Sequence, residues 1–433
     1  MMEGWKEIEF GTIASFRNGL NFNKDSHGKG VLIIGVPDFQ DYFKPRYDTL
    51  GEILPDGILK KEDFLAKGDI LFVRSNGNKL LVGRSLFIDK TIEAVFSGFC
   101  IRARINNKNA LPIFYAYITR TKRFRALLSA SSGGTNIQNL NQGILNKVKV
   151  PNPPLKTQRK IASILSAYDD LIENNLKRIK LLEEQAQQTY EEWFVRFKFP
   201  GYENVEIDEV SGLPVGWEEG RLSDLINFQS GFAYKSAQFI KEGFSVIKIK
   251  NIGNNTIDTE NTNFINEEYA SKTEKFKLNS GDLLIAMTGA TVGKVGVVPI
   301  TQKPCYLNQR VGRFVSFEEV DNSAFINCFF NIGNGLHHVL NIAGGAAQPN
   351  ISASQILSIE TIVPKLEVLK KFSKYAISAS KAILNLQNQN QHLKEARDIL
   401  LPRLMSGMID VDSLEVGEQL GMVAEEKSEY KKA

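Results

Sequence analysis

The residues with the clearest chemical potential are Arg, Asn and Gln side chains that stand near glycines in polar loops. In the first half of the chain the candidates are Arg17, Asn18, Asn21, Lys24, Arg74, Ser75, Asn76, Asn136, Gln138 and Asn139. In the second half they are Gln229, Tyr234, Lys235, Thr288, Gln309, Arg310, Gln348 and Asn350. Asn and Gln can form two hydrogen bonds with adenine, Arg can bind guanine or phosphate, and glycine lets the backbone come close. Any one of these loops is more often an ordinary turn, but the set favours DNA recognition through hydrogen bonds.

The chain also repeats itself at long range. Five landmarks recur at spacings of 211 to 213 residues: Gly4-Trp5 with Gly216-Trp217, Gly19 with Gly231, Gly68-Asp69 with Gly281-Asp282, Gly133-Gly134 with Gly344-Gly345, and Val150-Pro151 with Val363-Pro364. A shared long spacing predicts two similar globular units in tandem. Because the candidate loops fall at matching places in both units, we expect two similar sites that contact two short, separated half-sites on DNA.

One string suggests a phosphate-binding loop, but its spacing is wrong. Such a loop needs four residues between its glycines and a Ser or Thr after its Lys. Here three residues separate Gly289 from Gly293, and Val295 follows Lys294. Residues 82–85 (Val-Gly-Arg-Ser) occupy the matching place in the first unit. We therefore interpret the string as a repeated β-turn.

A second string resembles the turn with which amino-methyltransferases hold a target amine. It reads Asn152-Pro153-Pro154, but Leu155 replaces the aromatic residue that this motif requires. No glycine-rich turn for S-adenosylmethionine precedes it. A proline stop before a helix is the better interpretation.

Length and composition indicate an ordinary globular chain of two or more domains. The 433 residues are 42% hydrophobic and 24% charged, with a net charge of +4 that permits a nucleic-acid partner without requiring one. No apolar run is long enough for a membrane span, and no signal peptide is visible. The 3 cysteines and 4 histidines lack metal-binding spacings, so no metal, cofactor or catalytic residue is expected and a reducing cytoplasmic setting fits.

Residues 155–199 and 365–401 are the longest segments without Gly or Pro, and a heptad pattern predicts that both are helical. The repeated apolar positions are Leu165, Tyr168, Ile172, Ile179, Leu182, Ala186 and Trp193 in the first segment and Leu369, Phe372, Ala376, Ala379, Ile383, Leu386, Leu393 and Leu400 in the second. We expect the two helices to bury these stripes against each other as a coiled coil.

Each apolar stripe has one polar interruption, Asn175 in the first helix and Asn390 in the second. A buried Asn weakens a coiled coil but sets its register. Our hypothesis is that these two residues set the helix pairing, and that Leu at either position raises the melting temperature. The alternative is that both asparagines lie at the wet edge of the seam.

The segments around the helices are rich in β-branched and aromatic residues and in Gly and Asn, which predicts short strands joined by turns. Helical stretches are expected at Ile113–Leu128 and Ser323–Asn331. The predicted class is α+β, with two tandem domains that have curved, mainly antiparallel sheets. The expected organisation is a first domain, a central helix, a second domain, a C-terminal helix and a charged, disordered tail, at residues 1–154, 155–199, 200–364, 365–408 and 409–433.

Several motifs together resemble the specificity subunit of type I restriction–modification enzymes, over nearly the whole chain. They are Pro154-Leu155-x-x-Gln158-x-x-Ile161-x-x-Ile164-Leu165 before Asp169-Asp170, Trp193-Phe194, Gly212-Leu-Pro-x-Gly216-Trp217, and Leu400-Leu-Pro-Arg403-Leu-Met-Ser-Gly407. The chain has Thr157 where the family commonly has Glu before the Gln.

The resemblance implies two target-recognition domains separated by an antiparallel pair of long helices, which read a bipartite double-stranded DNA target. It also implies that the helices recruit two methylation subunits and, through them, restriction subunits. Those partners would carry S-adenosylmethionine, ATP and magnesium and would flip the target adenine, whereas this chain would hold no cofactor. Two alternatives remain open: the recognition part of a self-contained methyltransferase or nuclease, and a coiled-coil scaffold without a DNA role.

Overall fold

The computed structural model describes residues 5–22, 26–39, 42–54, 59–76, 81–131, 139–253, 255–344 and 349–414. These residues form two compact units. Unit 1 comprises the described residues of Met1–Ile172 and Leu393–Ala433, and unit 2 comprises those of Glu173–His392. Each of the two long helices is shared between the units, so each unit contains part of both.

Unit 1 is an α+β domain closed by parts of the two long helices. Up to the first long helix its elements are β1 (Lys6–Glu9), β2 (Ala14–Asn18), β3 (His27–Ile34), β4 (Gly51–Ile53), β5 (Ile70–Val73), β6 (Ser85–Phe87), β7 (Ala94–Phe96), β8 (Cys100–Ile105), α1 (Pro112–Arg120), α2 (Lys122–Ser131), α3 (Gln142–Lys147), β9 (Lys149–Asn152) and α4 (Leu155–Tyr190). The main sheet has the order β2-β8-β5-β6 and is antiparallel, and a second sheet has the order β4-β3-β7, with β3 and β7 parallel. Strands β1 and β9 pair antiparallel.

The core of unit 1 forms where the main sheet meets the helices. Strand β5 is apolar and buried at all four positions, as expected of a central strand covered on both faces. Its Phe72 belongs to one cluster with Tyr115 of α1 and Leu165 of α4, and this cluster also includes Leu404 and Val411 from the end of the chain. Apolar residues from both ends of the chain therefore share one core.

Unit 2 repeats this plan with additions. Its elements are β10 (Glu218–Arg221), β11 (Asn227–Ser230), β12 (Phe244–Ile247), β13 (Ile252–Gly253), β14 (Asn255–Ile257), β15 (Asn263–Ile265), α5 (Glu267–Lys272), β16 (Lys277–Leu278), β17 (Leu283–Ala286), β18 (Val295–Val297), β19 (Cys305–Leu307), β20 (Val311–Val315), α6 (Ser323–Asn331), α7 (Gly335–Ala343), α8 (Ala353–Leu357), β21 (Glu360–Val363) and α9 (Leu366–Met405), whose last residues belong to unit 1.

The strand order confirms the tandem repeat. The sheet β11-β20-β17-β18 of unit 2 matches β2-β8-β5-β6 of unit 1, and β15-β12-β19 matches β4-β3-β7. Unit 2 extends the first sheet with β14 and β13 and the second with β16. Most neighbouring strands are antiparallel, with β12 and β19 parallel like their counterparts and β14 and β18 also parallel. The predicted α+β class with mainly antiparallel sheets is confirmed.

The long helices α4 and α9 pack antiparallel in both units. In unit 2, Tyr190 at the end of α4 contacts Phe372 near the start of α9, while Asn175 bonds Asn390 further along. In unit 1, Asp169 of α4 meets Arg397 of α9. The apolar stripes face inward at most predicted positions, with Leu165, Ile172, Ile179, Leu369, Phe372, Ala376, Ala379 and Leu386 buried. None of the described helices is long and apolar enough to cross a membrane.

Three helix boundaries differ from those predicted. The stretch Ile113–Leu128 is broken at Thr121, whose hydroxyl accepts a hydrogen bond from the Phe124 amide and so caps α2. The first long helix ends in a π-helical turn at Glu191–Val195 rather than at residue 199. Helix α9 continues past Pro402 to Met405, because burial of Leu404 and its neighbours in unit 1 outweighs the hydrogen bond lost at proline.

The beginning of the predicted disordered tail is ordered. Lys160 Nζ donates to the carbonyl oxygens of Val411 and Asp412 at 3.0 and 3.2 Å, and Thr157 Oγ1 donates to Asp412 Oδ2 at 2.7 Å. Val411 is 1% exposed. The prediction of disorder from residue 409 is therefore wrong for residues 409–414, because an apolar side chain anchors them, and residues 415–433 lie outside the described part of the chain.

Candidate nucleic-acid interface

Four loop segments of unit 1 meet at one end of its sheets. We call them loop cluster 1: residues 18–22, 74–76, 97–99 and 139–140. Backbone hydrogen bonds connect them in series: Leu20 N to Phe96 O (2.8 Å), Gly98 N to Leu20 O (2.6 Å), Arg74 N to Phe99 O (2.7 Å) and Leu140 N to Arg74 O (2.8 Å). Because main-chain atoms make these bonds, side chains can vary without loss of the loop arrangement.

Unit 2 has the same arrangement in loop cluster 2: residues 230–235, 287–289, 308–310 and 349–351. The corresponding hydrogen bonds are Phe232 N to Leu307 O (2.9 Å), Gln309 N to Phe232 O (2.9 Å), Met287 N to Arg310 O (3.0 Å) and Ile351 N to Met287 O (2.9 Å). Each bond joins residues equivalent to those in unit 1. The two units therefore present different side chains from one backbone scaffold.

Gly19 and Gly231 explain one of the repeated landmarks. At both positions the chain passes directly over the end of the parallel strand, β7 in unit 1 and β19 in unit 2. A Cβ atom would lie 2.2 Å from the carbonyl oxygen of Ser97 at Gly19, and 2.2 Å from that of Asn308 at Gly231. No side chain fits in such a space, so glycine is required for each loop cluster to form.

The string that resembles a phosphate-binding loop is a hairpin turn between β17 and β18. Gly293 N donates to Ala286 O in that turn, and Gly83 N donates to Val73 O in the equivalent turn of unit 1. Gly293 and Gly83 both have positive φ, at 80° and 79°. A phosphate-binding loop instead connects a strand to a helix. The interpretation as a repeated turn is confirmed.

Within unit 1, most described candidates lie on loop cluster 1. Asn18, Asn21 and Asn139 are exposed, and residues 74–76 (Arg74, Ser75, Asn76) are partly exposed. Their side chains are thus accessible on one surface. Lys24, Asn136 and Gln138 lie outside the described residues.

Arg17 is placed differently, because its charge is already used within unit 1. Its guanidinium bonds Glu62 Oε2 at 2.8 Å and Asp63 Oδ1 at 2.5 Å. Burial alone would raise the pKa of Asp63, but hydrogen bonds from the Lys60 amide and from Arg17 outweigh it and hold that pKa below its usual value. We therefore correct the assignment of Arg17 from DNA contact to structural ion pair.

In unit 2, Lys235, Gln309, Arg310 and Asn350 are exposed on loop cluster 2. Thr288 is partly exposed and pairs with Asn350 through a backbone bridge. These residues form the unit 2 counterpart of the polar surface on loop cluster 1. Gln348 lies outside the described residues.

Two candidates in unit 2 are occupied by internal contacts. Tyr234 is 7% exposed, and its hydroxyl donates to Thr273 Oγ1 at 2.9 Å. Gln229 donates from Nε2 to Lys275 O at 2.9 Å and accepts from Arg313 with Oε1. The prediction that these two side chains contact DNA is corrected, because their polar groups are satisfied within unit 2.

The candidate list misses Phe99 of loop cluster 1. Its side chain is 61% exposed, which is unusual for an aromatic residue in a folded domain. It occupies the position of Arg310 in the repeat. The repeat spacing alone could have identified it, because Arg310 was already a candidate. The preference for polar residues excluded it.

The helix pair carries one polar contact in each unit. In unit 1, Arg397 Nη1 lies 2.5 Å from Asp169 Oδ1, and Tyr117 Oη donates to the other carboxylate oxygen at 2.7 Å. In unit 2, Asn175 Nδ2 donates to Asn390 Oδ1 at 3.0 Å, and both residues are buried. These contacts join the two helices at specific heights. Among the described residues, no group of three or more His, Cys, Asp or Glu side chains is arranged to hold a metal ion.

Comparisons with known proteins give a consistent family. The model of the type I restriction modification DNA specificity domain matches residues 2–184 and 214–394. The chain is 26% identical over 424 residues to the type I restriction enzyme MjaVIII specificity subunit of Methanocaldococcus jannaschii, covering 95% of this chain and 94% of that protein. It is 30% identical over 305 residues to the MjaIX specificity subunit of the same organism, covering 69% of each.

A more distant species and a solved structure extend the similarity. The HindI specificity subunit of Haemophilus influenzae is 26% identical over 476 residues, covering 94% of this chain and all (100%) of that protein. The crystal structure of a type I restriction–modification system S subunit from M. genitalium matches with a TM-score of 0.58 at 16% identity, covering 92% of this chain and 96% of that one. At this identity the structural match supports the fold alone.

Proposed function

The chain belongs to the type I restriction–modification DNA specificity family, and we propose that it is the non-catalytic DNA-specificity subunit of such a complex. Loop cluster 1 reads one short half of a divided double-stranded target, and loop cluster 2 reads the other. The observation that supports this proposal most directly is the repeated set of backbone hydrogen bonds, which presents different side chains from equivalent positions. Such a scaffold suits two half-sites of different sequence.

The exposed side chains of the loop clusters have the chemistry that this role needs. Asn18, Asn21 and Asn139 in unit 1 and Asn350 in unit 2 carry amides that can pair with adenine, and Arg310 can pair with guanine. Loops on a rigid sheet scaffold commonly carry binding residues. We propose that these residues supply direct readout, while phosphate contacts position the chain.

The partners are proposed to supply the catalysis. Helices α4 and α9 recruit two methylation subunits and, through them, restriction subunits, and Leu176 and Leu181 of α4 are 40% and 63% exposed and available for such a contact. The methylation subunits bind S-adenosylmethionine and flip the target adenine, and the restriction subunits use ATP and magnesium. This chain holds no cofactor and acts in the cytoplasm.

The decisive experiment is genome-wide mapping of methylated adenines in the host, with and without this gene. Loss of one divided motif on deletion is expected, and complementation by the gene should restore it. If every methylated motif persists, binding of the full chain with its methylation subunit to DNA carrying each known divided motif distinguishes an inactive system from a wrong function. Absence of any sequence-specific binding would contradict the proposal.

A further inference from the structure

Phe99 is an exposed aromatic residue whose backbone is fixed. Its carbonyl oxygen accepts a hydrogen bond from the Arg74 amide at 2.7 Å, and its own amide donates to Ser97 Oγ at 3.3 Å. The next amide, that of Cys100, donates to Ser97 O at 2.8 Å and closes the turn. The phenyl ring, 61% exposed, is therefore held outward at a defined place and is not part of the core.

The same turn in unit 2 presents Arg310. The Arg310 carbonyl accepts from the Met287 amide at 3.0 Å, and its amide donates to Asn308 Oδ1 at 3.5 Å. Ser97 and Asn308 are thus equivalent acceptors at the start of the two turns. Arg310 is exposed, as Phe99 is. One backbone position therefore carries a guanidinium in one unit and a phenyl ring in the other.

The polar neighbour of Phe99 is also defined. A Cβ atom at Gly98 would lie 2.1 Å from Asn21 Oδ1, so the Asn21 amide packs against the residue that precedes Phe99. Asn21 is exposed. An amide that can pair with adenine and an apolar ring thus share one small part of loop cluster 1.

In the major groove, each base pair presents a fixed set of groups. Guanine O6 and N7 are the partners of a guanidinium, and the only apolar group is the 5-methyl of thymine, which lies beside the adenine N6 and N7 of the same A·T pair. We propose that Phe99 contacts a thymine methyl group and so specifies an A·T pair in the half-site read by unit 1, at the position where Arg310 specifies guanine in the other half-site. This inference rests on the proposed function and adds the identity of one base pair to it.

The test removes either side of the contact. The full chain with its methylation subunit is bound to duplexes in which each thymine of the half-site is replaced in turn by uracil, which lacks only the methyl group. For the wild-type chain, one replacement should weaken binding about three- to fivefold, the value expected for loss of one buried methyl contact. For Phe99→Ala, binding to thymine DNA should fall and the same replacement should have no effect.

A matched control is available in unit 1. Leu54 is 53% exposed and lies at the other end of β3 from the loop cluster, since its amide bonds Ser26 O whereas the Ser97 amide bonds Ile34 O. Leu54→Ala should leave both binding and the uracil effect unchanged. Because both side chains are exposed, neither change should prevent folding, which thermal unfolding verifies.

Three results would overturn the inference: a half-site without thymine on either strand, no loss with any uracil in the wild type, or a uracil effect that persists in Phe99→Ala. In each case sequence-specific binding to the divided target is retained. Absence of such binding in the wild type would instead contradict the proposed function, and the inference with it.

Discussion

Asn175 of α4 and Asn390 of α9 share a buried hydrogen bond of 3.0 Å between Nδ2 and Oδ1. Gln389 Oε1 lies 3.4 Å from the same Asn175 donor, whereas the described residues provide no partner for Asn390 Nδ2. A buried polar group that loses its partner is costly, while replacement of both partners by apolar residues can be neutral or stabilising. The two residues must therefore be considered together.

We predict that Asn175→Leu alone lowers the free energy of unfolding by about 1–3 kcal/mol, because both polar ends of Asn390 are then unpaired. Asn390→Leu should cost less, since Asn175 keeps Gln389, and the double Leu variant should match or exceed the wild type. Urea unfolding of the four proteins forms a double-mutant cycle. The heptad pattern alone predicts that either single change stabilises, and such a result would show that the pair is not bonded in solution.

Base readout should be separable between the units. Arg74→Ala with Asn76→Ala is expected to relax only the half-site of unit 1, and Arg310→Ala only the other, by about 1–3 kcal/mol of discrimination per good contact. Methylated-adenine mapping of each variant measures this. Arg17→Ala is the matched control, because its guanidinium is held by Asp63 and should not affect sequence choice. Equal relaxation of both half-sites would contradict separate reading.

Alanine at Gly19 or Gly231 should destabilise its unit by about 1–3 kcal/mol, since the added methyl group collides with a backbone oxygen that cannot move aside. Gly51→Ala and Gly253→Ala are the controls in units 1 and 2. A Cβ atom at Gly51 meets nothing closer than 4.0 Å, and at Gly253 nothing within 4 Å. Thermal unfolding compares the pairs. Similar losses at all four positions would mean that the close approach is not responsible.

The Arg17–Asp63 pair predicts part of the acid sensitivity of unit 1. Because the pKa of folded Asp63 is below its usual value, the pair stabilises the fold above about pH 4 and that contribution disappears as pH falls through the folded pKa. Asp63→Asn should therefore flatten the fall of stability at acid pH. Glu62→Gln changes the exposed partner of Arg17 and should have little effect. Unfolding measured between neutral and acid pH would detect a difference, and identical profiles would contradict the assignment.

The three cysteines should resist thiol reagents in the folded protein. All are buried, and burial raises the pKa of Cys305 to about 11 and that of Cys328 to about 12, with Cys100 also raised. Little thiolate is present at pH 8, so labelling should be slow until urea unfolds the chain. Mass spectrometry counts the labels. Rapid labelling of the native protein would show that a unit opens readily.

Much of the scaffold could be predicted because it depends on repeated local patterns. The spacing of Gly19 and Gly231 indicated two equivalent units, and their equivalence has a physical cause in the backbone crossing at each position. The helix stripes were visible because a period of 3.5 residues survives in sequence. The break at Thr121 was missed, although Thr is a good helix cap, because the apolar pattern continues across it.

Side-chain roles in the loops were harder to predict because they depend on distant residues. Arg17 and Arg74 both stand near Asn in polar segments, but Arg17 meets Asp63, 46 residues further along the chain. Tyr234 was placed on the surface because its neighbours are polar, whereas its ring fills a core and its hydroxyl bonds Thr273. Local composition does not contain such contacts.

The division of the chain between the units has a consequence for synthesis. Unit 2 is one uninterrupted segment, whereas unit 1 needs residues from both ends of the chain. A nascent chain that ends at residue 392 therefore contains all of unit 2 but still lacks the Leu404 and Val411 that cover Leu165. Since domains tend to fold as their residues emerge, the unit encoded first is completed last. A premature stop near the end of the gene would thus damage the DNA-reading unit at its beginning.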